Sequence, residues 1–286
     1  MRKRSNLLRM LHALNDRMIL TNRLRWRLGH FEMGYQYECW ADEQFAHGNW
    51  FVINSLSLSN EGEFVVQMDL LVLTGDKILL YELKAYSQPI NDCRDGTIQY
   101  EENGEKYPHP INQLENAHRR LQNLIDALGV DLKIESYVML THPESYIMNL
   151  PSWTKNLLIQ SQISGHILEQ MRNAKPVTAQ TKHYYALLKA QDHDTSEYNS
   201  MIPEYSYDQL RKVVKCPQCF GVIWEIPKFK KYLMCPCCGE NVAVRDIARL
   251  AMEDYLILFK EKPTMHKLHE WCGGKFLKHR LYQMLS

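Results

Sequence analysis

The chain has 286 residues, enough for a full hydrophobic core and a second, smaller domain. It is 45% hydrophobic and 23% charged, and no apolar run approaches the roughly 20 residues that a membrane-spanning helix requires. The opening residues lack the apolar core of a signal peptide, so a cytoplasmic protein is expected.

The net charge of +1 conceals a segregation. Residues 1–30 carry +7. Residues 31–150 hold 7 basic against 19 acidic side chains, residues 151–210 sum to −1, and residues 211–286 carry +7. An acidic middle between basic ends suits a metal centre flanked by surfaces that attract a polyanion, although solvated faces that happen to segregate give the same pattern. Of the eight cysteines, Cys39, Cys93 and Cys272 stand alone while Cys216, Cys219, Cys235, Cys237 and Cys238 crowd together. Two-residue gaps in a chain without an export signal argue for metal binding over disulfides.

In chain order, Leu7, Leu8, Leu11, Leu14, Met18 and Ile19 recur at helical spacing and predict one amphipathic helix over 5–28, with a basic face that either meets phosphates or is simply solvated. Gly29 and Gly34 punctuate the next stretch, and Gly34-Tyr35 leads into a second helix ending near His47. Trp50–Leu56 reads as a strand. Two apolar runs, Glu63–Leu73 and Lys77–Lys84, flank Thr74-Gly75-Asp76 and read as a hairpin. A smaller hairpin is expected between 97–100 and 106–107, with Asn103-Gly104 at its tip. A helix over 111–128 ends at Gly129, strands follow at 136–140 and 156–159, and helices near 164–173 and 179–190. Residues 191–208 are polar and read as a linker.

The long hairpin holds charges where apolar residues are expected. Alternation places Ile78, Leu80, Glu82 and Lys84 on one face of the second arm, with Leu79, Tyr81 and Leu83 on the other, while Asp69 lies on the first arm. A buried carboxylate costs several kcal/mol unless it is paired or holds a metal. A surface ion pair between Glu82 and Lys84 is the plain alternative, but the apolar residues on both faces favour burial. Two carboxylates can hold Mg²⁺ through hard oxygen ligands, and a lysine two residues after the glutamate can orient a water or stabilise developing negative charge.

Helix, three meandering strands, helix, strand, with Asp69 and Glu82-x-Lys84 on adjacent strands, is the plan of the PD-(D/E)xK phosphodiesterases. Within them, residues 34–125 resemble the nuclease-related domain (NERD) family. The resemblance rests on Gly34-Tyr35 with Glu38, Gln67-Met68-Asp69, Tyr81-Glu82-Leu83-Lys84-Ala85-Tyr86 and Pro110-Ile111-Asn112-Gln113. Against the family pattern, Gln36-Tyr37 replaces a second glycine, Leu70 follows the aspartate, Leu83 replaces valine, and His109 replaces the asparagine before Pro110. The resemblance implies Asp69 and Glu82 as ligands of Mg²⁺ or Mn²⁺ and Lys84 as water-positioning base or electrostatic partner. It also implies Glu38 facing the site from one helix and Gln113 reaching it from another. A helix-capping Gln113 and a solvated Glu38 are the alternatives for these two. DNA is the implied substrate.

Cys216-Pro217-Gln218-Cys219 and Cys235-Pro236-Cys237-Cys238 fit C-x2-C-x15-C-x2-C. This is the spacing of a zinc ribbon whose two knuckles close a tetrahedron of thiolates, with Cys238 favoured over Cys237 because Cys235-x2-Cys238 mirrors the first knuckle. Val222–Ile226 reads as a ribbon strand, with Lys228, Lys230 and Lys231 at its tip. Four ligands make such a zinc structural. A helix over 246–260 follows. Then comes a short helix capped at Thr264, a Cys272-Gly273-Gly274 turn and a basic helix carrying Lys275, Lys278, His279 and Arg280, the outline of either a helix-turn-helix or a packed helical hairpin.

The expected architecture is an α/β protein with a mixed sheet. A basic N-terminal helix (1–30) precedes a restriction-endonuclease-like NERD core (31–190) and a linker (191–208), and a small four-cysteine zinc ribbon (209–245) and a basic helical tail (246–286) follow. The expected activity is Mg²⁺-dependent (endo)deoxyribonuclease chemistry. A catalytically silent nuclease-fold DNA-binding or adaptor protein and an RNA-directed nuclease are the alternatives, and protein partners would engage the ribbon or the tail.

Overall fold

Ile78 to Leu83 are buried without a break, as expected of a strand covered on both faces. In the computed structural model, which describes residues 2–58, 66–100, 104–151, 154–192 and 202–285, this strand lies at the centre of a five-stranded sheet. The expected strand start at Glu63-Phe64-Val65, the tip residue Asn103 and residues 193–201 of the linker lie outside the described residues.

Two helices come first, α1 (Asn6–Leu14) and α2 (Asn22–Gln44). The sheet is built from β1 (Phe51–Leu58), β2 (Val66–Leu73), β3 (Lys77–Lys84), β7 (Lys133–Leu140) and β9 (Leu157–Ile159), side by side in that order. The first three are antiparallel, and β7 and β9 join parallel to β3. Between β3 and β7 the chain forms β4 (Ile90–Asp92), β5 (Thr97–Tyr100) and β6 (Lys106–Pro108), then α3 (Pro110–Ala127). The three strands and β8 (Ile147–Met148) make a second, four-stranded sheet. Helices α4 (Gln160–Asn173) and α5 (Ala179–Lys189) follow.

The faces of β3 divide as alternation requires. Ile78 and Leu80 join Leu114, Ala117, Leu121 and Ile125 of α3, whereas Leu79, Tyr81 and Leu83 join Ala41 and Phe45 of α2 and Ile163 and Ile167 of α4. The mixed α/β architecture expected from the sequence is the one the chain forms.

The chain divides into two compact units, Met1–Lys3 with Glu32–Thr195 and Arg4–Phe31 with Ser196–Ser286. The second contains α1, the hairpins β10 (Val214–Lys215)–β11 (Val222–Ile223) and β12 (Tyr232–Met234)–β13 (Asn241–Ala243), and α6 (Val244–Phe259), α7 (Met265–Trp271) and α8 (Lys278–Leu285). Its core gathers Leu11 and Leu14 of α1, Ile223, Leu233 and Val242 of the hairpins, Ile247 and Tyr255 of α6, and Trp271. Within it Arg17 is buried, with its guanidinium 3.2 Å from Asp254 and 3.8 Å over the Trp271 ring.

The first two helices differ from expectation. The helix predicted over 5–28 stops at Leu14, because Asn15 turns extended and Asp16 takes a left-handed conformation (φ 63). The next begins beside Thr21, whose hydroxyl accepts from Leu24 N, and runs through Gly29 and Gly34. Interior glycines cost only about 1 kcal/mol each, less than the packing that a helix of this length supplies.

Candidate active site and metal centres

The hairpin geometry is irregular at one point. The β1–β2 register is continuous except at Ser55 and Asp69, Ser55 is left-handed (φ 63), and the β2–β3 ladder ends at Leu70–Tyr81. A non-glycine residue held at positive φ stores strain of order 1 kcal/mol, a feature that clusters at functional sites. Freed from the ladder, Asp69 accepts a 2.8 Å hydrogen bond from Leu83 N through Oδ2. Across from it Glu82 is 6% exposed and receives Lys84 Nζ on Oε1 at 2.7 Å.

A further cation that the sequence reading missed closes the group. Arg2 donates to Glu38 Oε2 at 2.8 Å, to both carboxylate oxygens of Asp42 at 2.9 and 3.0 Å, and to the Asp69 carbonyl at 2.7 Å. Its side chain is 1% exposed. The available signal was Glu38 and Asp42 one helical turn apart, an acidic pair that asks for a cation. Leaving these acids without it should cost about 2–3 kcal/mol, near the lower end for a broken buried pair because Glu38 keeps 28% of its exposure. Arg2→Ala is therefore expected to lower stability by that amount in urea titrations; a loss below about 0.5 kcal/mol would mean that the contact does not hold the helix.

The electrostatics show strain among the acids. Burial first, and then repulsion from Asp69, push the Glu38 and Glu82 carboxyls up to about 7, even though Arg2 and Lys84 pull them down. Burial pulls the Lys84 ammonium down, but Glu82 and Asp69 outweigh it and hold the lysine above its usual range. Because the two glutamates rise above their usual 4.5, the folded chain keeps protons there that the unfolded chain releases. Their contribution to stability is thus complete below about pH 4.5 and lost as pH rises through about 7. In the metal-free site, the unfolding midpoint should fall between about pH 5 and 8 and fall less in Glu82→Gln. An identical pH profile for the two proteins would contradict this.

The donor set suits a hard divalent cation. Glu38, Asp69 and Glu82 supply carboxylate oxygens, and Gln113 Oε1 is buried with no hydrogen-bond partner among the described residues. Gln113 sits in the first turn of α3, where His109 Nδ1 accepts from Ile111 N and so does the capping that asparagine would do. No three of the carboxylates converge: among the described residues the one group of three or more possible ligands within 4.8 Å of one another is the four cysteine sulfurs. Each acid is instead turned to its own donor, Glu38 to Arg2, Asp69 to Leu83 N and Glu82 to Lys84.

Residues 34–141 match the nuclease-related domain family, NERD. No curated protein and no solved structure matches the chain. The NERD segment runs from α2 to the residue after β7 and so holds Glu38, Asp69, Glu82, Lys84 and Gln113, which makes this part of the chain nuclease-related. Arg2 lies outside it.

Beyond the NERD segment, the cysteines of the second unit form two equivalent turns. Cys216 O accepts from Phe220 N and Cys235 O from Gly239 N, and both closing residues are left-handed (φ 58 and 76). Gln218 N and Cys237 N each point at the first sulfur of their turn at 3.4 Å. The sulfurs of Cys216, Cys219, Cys235 and Cys238 converge, with Cys216–Cys238 at 4.0 Å and Cys219–Cys235 at 3.7 Å. A zinc tetrathiolate with bonds of about 2.3 Å has edges of about 3.8 Å, so the cluster is compatible with zinc. Cys237 is exposed and outside the quartet, against Gly221, where a Cβ would come within 2.7 Å of its sulfur. Phe220 tolerates its positive φ while stacked on His12 of α1 at 3.9 Å. Among the described residues no helix is long and apolar enough to cross a membrane.

Proposed function

We propose that the chain is a divalent-metal-dependent deoxyribonuclease whose active site is the Asp69/Glu82/Lys84 hairpin. The observation that carries this reading is the burial of Glu82 beside Asp69, two acids whose mutual repulsion a cation would relieve. Asp69 and Glu82 would hold Mg²⁺ or Mn²⁺, with Glu38 and the unpartnered Gln113 Oε1 as further oxygen donors. Such an ion lowers the pKa of bound water and screens charge on a phosphodiester. Lys84, held by Glu82, would orient the attacking water or stabilise the negative charge that grows on the phosphate. Arg2 neutralises Glu38 and Asp42 and keeps Glu38 at the rim of the site. The Cys216/Cys219/Cys235/Cys238 quartet would hold a structural zinc, closed to catalysis by its four thiolates. Incubating the purified chain with supercoiled and linear DNA tests the catalytic claim. Strand scission that requires Mg²⁺ or Mn²⁺ and stops in EDTA is expected. Scission that persists in EDTA would overturn the metal mechanism, and DNA binding without scission in either metal would favour a scaffold role.

A further inference from the structure

The cysteine module turns large apolar side chains outward. In β12 the alternation sends Leu233 into the core and leaves Tyr232 56% and Met234 73% exposed. Phe229, in the turn before this strand, is 83% exposed, and Trp224, next to the buried Ile223, is 57% exposed. The inward face is already filled by Ile223, Leu233 and Val242, so these side chains are not displaced core residues. Leaving a phenylalanine in water forgoes about 1.5–3 kcal/mol of burial, which points to a surface that is covered by something else.

What surrounds them identifies the partner. Lys228, Lys230 and Lys231 interleave with Phe229 and Tyr232 and are turned to solvent, and residues 224–234 contain one acid, Glu225. The turn is also held in place: the Arg280 guanidinium of α8 donates to the carbonyls of Lys228 and Lys230, on either side of Phe229. An aromatic between lysines on a backbone held by Arg280 offers a face for a base and charges for its phosphates. Protein interfaces deplete lysine at their cores, which weighs against a protein partner. Duplex DNA keeps its base faces stacked internally, whereas an unpaired strand exposes them, and stacking on aromatics is worth about 1–3 kcal/mol per base.

We propose that the Lys228–Met234 tip of the cysteine module is a binding platform for single-stranded nucleic acid, with Phe229 and Tyr232 stacking bases and Lys228, Lys230 and Lys231 neutralising phosphates. None of these residues belongs to the NERD segment, so the platform stands whether or not the hairpin cuts. The test uses the full zinc-loaded chain carrying Glu82→Gln, without added Mg²⁺, and follows the anisotropy of fluorescein-labelled oligo(dT). Phe229→Ala and Tyr232→Ala are each expected to weaken binding about tenfold, and Phe229→Tyr to retain it. Replacing the three lysines by alanine should reduce the slope of log affinity against log salt by about 2. A duplex of the same length should be insensitive to Phe229→Ala. Unchanged single-strand binding in both aromatic variants, with zinc content and unfolding midpoint as in the parent, would overturn the proposal. So would equal losses for duplex and single strand, or failure of Phe229→Tyr to bind while it keeps its zinc.

Discussion

Replacing Glu82 by glutamine is expected to reduce metal-dependent cleavage by about 10³-fold without unfolding the protein. The magnitude is that of removing one preorganised electrostatic contact from a site with little water. Glutamine preserves the volume of a side chain that is 6% exposed, so packing against α3 should survive. The change also removes one of the acids that repel each other, and the metal-free variant should be no less stable than the parent at about pH 8, where Glu82 would otherwise carry its charge. Lys84→Ala should lower the rate to a similar extent because it removes the charge that would orient the water or stabilise the phosphate, and it should also lower stability because it leaves Glu82 buried without its partner at 2.7 Å. Cleavage rates in Mn²⁺ and thermal unfolding, measured on the same preparations, separate catalytic loss from structural loss. A Glu82→Gln protein that cuts within about tenfold of the parent would show that the chemistry lies elsewhere.

The second large effect is expected from the cysteines. Structural zinc in small modules contributes about 10–16 kcal/mol of apparent binding free energy in isolated peptides, and part of that would be folding energy for a zinc held by the four cysteines proposed as its ligands. The two turns share a core with α1 and α6, through Ile223, Leu233 and Val242 on one side and Leu14, Ile247 and Tyr255 on the other. Losing the metal should therefore loosen more than the ribbon. Cys235→Ser should drop zinc content from one per chain to none and lower the unfolding midpoint by roughly 10 °C or more, since each kcal/mol is worth about 2–4 °C in a protein of this size. Cys237→Ser should change neither quantity, because its sulfur lies outside the converging four. Zinc measured by native mass spectrometry alongside calorimetric scans checks both variants; equal zinc loss in the two would contradict the assignment.

How much of this was legible in the sequence depended on range. The central hairpin could be read because alternation is a local rule: Ile78 and Leu80 face α3 and Leu79, Tyr81 and Leu83 face α2 and α4, as period two requires. The cysteine cluster was legible because a knuckle is written within four residues. The break at Asn15-Asp16 was missed because apolar spacing continues through Met18 and Ile19, while Asp16 adopts a backbone conformation that spacing does not report; Ile19 ends up 92% exposed. Arg2 was invisible because its partners lie 36, 40 and 67 positions away, and a basic run at the start of a chain is ordinarily solvated. The interruption at Ser55 and Asp69 was equally hidden, since it comes from the pairing of β1 with β2 and from neither strand alone.

The proposed chemistry depends on a divalent ion held by the hairpin acids, and a calorimetric titration of Mn²⁺ into the zinc-loaded, Mn²⁺-free chain tests that most directly. Saturable binding that is lost in Asp69→Asn and in Glu82→Gln, and retained in Cys237→Ser, is the predicted result. Binding of the same affinity and stoichiometry in all four proteins, or none in the parent, would contradict it.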